Sequence, residues 1–209
     1  MSKVMSDENR DESAERPKEW DYYLHKLLSV VPPVDPSAVS SAEQALKFLG
    51  DFAQRVPGSL SNALKTLIEV LQEVTNVKGV EVQLKSLRCL DLKMHIMRET
   101  DIAVNRDIVG IGKIESLRLS KLIHMQAEIG EDNRDVRAHF HQGISLVVSI
   151  IFFGTKQVIP LKGTAKLIRD DKGQILVEST SYVPGTDVPV VLTFPLKQIL
   201  DEVRRNYKM

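Results

Sequence analysis

Asn76-Val-Lys-Gly-Val-Glu-Val-Gln-Leu-Lys85 is the stretch that decides the fold. Side chains two apart share a face on a strand, whereas a helix returns to the same face every 3.6 residues. Before Gly79 the apolar residues recur at helical spacing. After it Val80, Val82 and Leu84 alternate with Glu81, Gln83 and Lys85, and a period near 2 persists through most of the remaining chain. Helices therefore give way to a sheet at this point.

Upstream, Leu60, Leu64, Leu67, Ile68, Leu71 and Val74 form one helical stripe, with Ser59 or Ser61 as its cap. Ala45, Leu46, Leu49, Phe52, Ala53 and Val56 form another. It opens at a capping box, Ser40-x-x-Glu43, and stops at Pro57-Gly58, so the two helices are expected to make an antiparallel hairpin. Trp20, Tyr23, Leu24, Leu27 and Leu28 predict a third, shorter helix ending before Pro32-Pro33. The prolines through Pro36 then require an extended linker, because each fixes its own φ and biases its predecessor away from helix. Residues 1–18 mix acidic and basic side chains with almost no apolar anchors, which predicts a flexible charged tail.

Downstream, Leu90, Leu92, Met94 and Ile96 alternate with polar neighbours, and a long strand runs from Leu117 to Ile129 with Lys121 as its one misfit. Ile144 to Phe153 is apolar on both parities and predicts a central strand covered on both sides. Strands at Thr164–Ile168 and Ile175–Tyr182 flank Asp170-Asp-Lys-Gly173, a hairpin turn whose glycine supplies a positive φ. Val188 to Phe194 is the last strand, and Pro189 suits its start or a sheet edge. Pro195 then opens a terminal helix with Leu196, Ile199, Leu200 and Val203 inward.

The expected architecture is α+β: three N-terminal helices, two of them a hairpin, a mostly antiparallel sheet of about six or seven strands, and a C-terminal helix. One domain is expected over residues 19–209, with a helical part at 19–76, a sheet part at 80–194 and the terminal helix at 195–207. No βαβ alternation is present, so no parallel sheet offers a switch point for a nucleotide.

Lys plus Arg and Asp plus Glu are each 28 of the 209 residues, so the formal charge is zero. Nothing global steers the chain toward nucleic acid, and only a local basic patch could do so. A single cysteine, Cys89, and no glycosylation sequon favour a reducing compartment. The N-terminus lacks a signal-peptide core, and the 144–153 run is half of the roughly 20 residues a membrane helix needs. The expectation is an intracellular, cytoplasmic protein without a transmembrane segment.

His139-Phe-His141 is the most suggestive constellation, because imidazoles at i and i+2 of a strand face the same way and can share a divalent metal. A third ligand would have to come from Glu128, Glu131, Asp132 or Asp135, or from His95 or His124. Gly110-Ile-Gly112-Lys113 lacks both the third glycine and the Gly-Lys-Ser/Thr ending of phosphate loops, so it reads as a turn. The Asn-Arg-Asp triplets at 9–11, 105–107 and 133–135 read as turn chemistry. No Gly-x-Ser-x-Gly elbow is present, and Cys89 lies in a strand pattern as an inert thiol.

The reading that results is a non-catalytic assembly or interaction protein, self-associating or binding a protein partner. A virion structural protein and a cellular adaptor both fit it. No catalytic or cofactor residue is assigned. The alternative is a small metal-assisted enzyme or ligand-binding barrel centred on His139 and His141.

Overall fold

The computed structural model describes residue 39 and residues 41–56, 58–152, 154–183 and 185–207. All belong to one compact unit that begins at Pro36. The expected tail (1–18), the helix at Trp20–Leu28 and the proline linker lie outside the described residues.

Three helices are described, not the four expected. Helix α1 (Ala42–Ala53) is capped by Ser41, whose hydroxyl accepts from the Gln44 amide at 3.2 Å. The cap is thus one residue later than the Ser40 box predicts, and Ser40 itself lies outside the described residues. Helix α2 (Gly58–Val74) follows as the second arm of the hairpin, and the Ser61 hydroxyl ties it back to the Ala53 carbonyl at 3.4 Å. Helix α3 (Leu196–Tyr207) closes the chain. Pro195 ends the preceding strand instead of starting this helix.

The sheet has nine strands where six or seven were expected, every pairing is antiparallel, and the strands fall in the following ranges. They are β1 (Val80–Ser86), β2 (Cys89–His95), β3 (Thr100–Ile108), β4 (Gly112–Ile129), β5 (Val136–Ile150), β6 (Lys156–Pro160), β7 (Gly163–Arg169), β8 (Ile175–Tyr182) and β9 (Pro189–Pro195). The main order is β1-β2-β4-β5-β7-β8-β9, with β3 on β4 and β6 on β5.

The extra strands have weak patterns for a physical reason. In β3 only Ile102 is buried, and a bulge between Ala103 and Arg106 holds Asn105 at φ 53°. The Asn-Arg-Asp triplet there was expected in a turn but sits inside the strand, where Asn105 takes its left-handed φ at the bulge. Strand β6 is a five-residue edge strand with no fully buried side chain.

Strands β4 and β5 form a long hairpin whose two halves have different neighbours in the one sheet. The Gly112–Leu119 half of β4 lies between β3 and the far half of β5, whereas Leu122–Ile129 lies between β2 and the near half of β5. The ladder slips between Leu119 and His124, which accounts for the misfit at Lys121. At this bend Gly143 has φ 97°, and a Cβ there would collide with the Leu122 carbonyl and Ile123 Cα. A side chain is excluded by both the backbone angle and the close approach.

The helices pack on the apolar face of the sheet: α1 on β1, α2 on β4 and β5, and α3 on β2, β8 and β9. The core they close includes Leu90, Leu92, Met94, Met125 and Phe140, each at most 2% exposed. Arg204 donates to the Glu73 carbonyl at 2.9 Å, which joins α3 to α2. On the far side, Arg106 of β3 donates to the Val191 carbonyl of β9 at 2.6 Å, a side-chain clasp and not a strand ladder.

Candidate functional site

Register places a polar surface on the face opposite that core. Asp91 of β2, Gln126 of β4, His139 of β5 and Thr164 of β7 are successive partners in one row across the sheet. His124 lies one pair away, beside Gln142. His139 and His141 do share a face, and they are joined by His124: ring centroids are 4.6 Å apart for His124–His141 and 5.1 Å for His139–His141.

Each imidazole is held by its own neighbour. His124 donates from Nε2 to Asp91 Oδ1 at 2.7 Å, and His141 donates from Nε2 to Gln126 Oε1 at 2.8 Å. His139 Nδ1 shares a hydrogen bond with the Thr164 hydroxyl at 3.0 Å. His95 stands apart, paired with Glu81 at 3.0 Å.

The carboxylates considered as third ligands are not brought to this cluster. Glu128 faces Arg137 across the ladder, and Glu131, Asp132 and Asp135 occupy the β4–β5 turn. There the Gly130 amide bonds the Asp135 carbonyl, Asn133 adopts φ 60°, and Asp132 accepts the Arg134 amide at 3.1 Å. Among the described residues no three His, Cys, Asp or Glu side chains are grouped so as to hold a metal ion.

Nor do the described residues assemble a nucleophile. The Asp91–His124 pair resembles the orienting half of a triad, but no hydroxyl or thiol hydrogen-bonds its other ring nitrogen among the described residues. Burial, then the negative Glu128 and Asp91, push the Cys89 thiol up, so it stays protonated and unreactive at neutral pH.

Electrostatics give this face an acid response. Burial first, then the neighbouring His124 and His139, hold His141 below the ordinary imidazole value. The unfolded chain therefore takes up that proton before the native one, and stability falls as pH drops through about 6.5. Burial pushes the Asp91 carboxyl up, but hydrogen bonds from His124 and Gln126 and nearby positive charge outweigh it, and the net position is low. Its contribution is complete above about pH 3.9 and is lost as pH falls through the lower native value. Urea midpoints measured against pH should show a two-step acid loss, and His141→Gln should remove the upper step. A midpoint in the wild type that is flat from about pH 7 to 5 would show that His141 is not held below the ordinary imidazole value.

A second feature lies at the far end of the β4–β5 hairpin, where the β3–β4 and β5–β6 turns meet. The Ile151 amide donates to the Ile111 carbonyl at 2.9 Å, and Ile111 in turn bonds Ile108 at 3.0 Å. These bonds fix a backbone whose apolar side chains point into water: Val109 is 96% exposed, Phe152 79% and Ile151 71%. The predicted strand over Ile144–Phe153 is corrected here. The strand runs from Val136 to Ile150, and Ile151 and Phe152 leave it for the turn.

No protein-family model matches the chain, and neither the curated proteins nor the solved structures contain a significant match to it.

Proposed function

We propose that this chain is a non-catalytic interaction protein whose working surface is the apolar tip at Val109, Ile151 and Phe152. The carrying observation is the exposure of these three large side chains on hydrogen-bonded turns. Burying a side chain of this size is worth roughly 1.5–3 kcal/mol, and the fold forgoes that gain at three positions on two turns that meet. Isolated exposed apolar residues are ordinary; a cluster at a fixed protrusion marks a contact. His139 and His141, the exposed members of the histidine face, fit this reading as a solvated sheet surface.

The test is gradient fractionation of the full chain in its natural source. The wild type should run in large material, and the Val109→Ser, Ile151→Ser, Phe152→Ser triple variant should shift to the slow fractions. The same slow position for both proteins would sink the proposal.

A further inference from the structure

We infer that the tip is built to enter a lipid surface, an inference that rests on the interaction reading. Val109, 96% exposed, stands almost clear of the fold on a turn whose backbone bonds that of Ile151. The three tip side chains offer on the order of 400 Å², against about 800 Å² per partner in a stable protein pair. A small convex apolar knob needs a receiving surface that deforms around it, and the boundary of a bilayer is one.

A concave site on the same chain is poorly matched. A cleft of ≈ 540 Å³ opens beside α1 and β1, but Glu43, Glu81, Asp91 and Lys93 are among its lining. An apolar knob from a second copy would have to strip water from those charges.

Charges behind the tip nearly cancel, with one cation left over. One row inboard, Asp107, Lys113, Ser149 and Lys156 are successive register partners, and Lys156 is paired with Glu115 at 2.5 Å. Arg106, the surplus cation, is held in place by the Val191 carbonyl, which fixes its position without cancelling its charge. The tip therefore meets a bilayer through apolar contact and not through attraction to anionic headgroups, so a neutral surface suffices and salt has little effect.

The experiment is co-sedimentation of the full chain with phosphatidylcholine vesicles at low and high salt. Wild type should bind, with an apparent lipid dissociation constant that moves less than about threefold between salts. Ile151→Asp with Phe152→Asp should weaken binding at least about tenfold without moving the unfolding midpoint, and Phe152→Leu should retain most of it. Absence of binding at millimolar lipid, binding only to anionic vesicles, or binding untouched by the double substitution would each overturn the inference. If wild type ignores vesicles while the serine variant still leaves large material on the gradient, the lipid surface is wrong and the interaction reading stands. If neither changes, both fall.

Discussion

Gly143→Ala should cost roughly 3 kcal/mol or more of folding stability, because it combines a disfavoured backbone angle with a steric collision. The glycine's φ of 97° is outside what an L side chain readily adopts, and the atoms in the way are the Leu122 carbonyl and Ile123 Cα, backbone that cannot rotate aside. Relief requires the two longest strands to separate where their ladder slips. Gly110→Ala is the control, since Gly110 has φ 73° but nothing within 4 Å of the added methyl. It should lose only about 1 kcal/mol. Urea unfolding of both variants checks the pair, and equal losses would mean that the close approach at Gly143 does not matter.

Phe140→Ala is the second large effect. Phe140 is 2% exposed and sits on β5 between Met125 and Gly163, under the helical layer. Removing its ring leaves a cavity in the middle of the sheet and should cost about 3–5 kcal/mol. The same unfolding experiment reads it, and a loss below about 1.5 kcal/mol would place Phe140 outside the packed core. His139→Ala and His141→Ala, on the opposite face of the same strand, should each change stability far less at neutral pH.

The sequence is most legible where one face of an element is buried. Val80–Leu84, Leu90–Met94 and the hairpin at Asp170–Gly173 announce themselves because burial enforces alternation and a turn enforces glycine. The Gly173 amide bonds the Asp170 carbonyl at 2.9 Å, and the Asp170 carboxylate accepts the Lys172 and Gln174 amides. Strands β3 and β6 have too little buried surface to leave a period, and the bulge at Asn105 reads locally as a turn. His139 and His141 are legible as a pair because i, i+2 spacing on a strand is a local property. That His124 completes the cluster depends on a register slip between β4 and β5, which no single strand encodes.

The tip shows the opposite failure. An apolar run such as Ile144–Phe153 looks the same whether its last residues are in the core or in water. What separates them is where the ladder ends, between Ile150 and Ile151, and that is fixed by the pairing of Gly112 with Ile150. Gly112 can pass there because a Cβ would strike the Ser149 carbonyl. The glycines at 110, 112 and 154 were the available signal that two turns, not a continuing strand, border this run.

Hydroxyl-radical footprinting of natural-source material, compared with the isolated chain, tests the tip most directly. Ile151 and Phe152 should be strongly labelled in the isolated chain and protected in the native material, while His139 and His141 on the open face label equally in both. Equal labelling of Ile151 and Phe152 in the two preparations would contradict a contact at the tip.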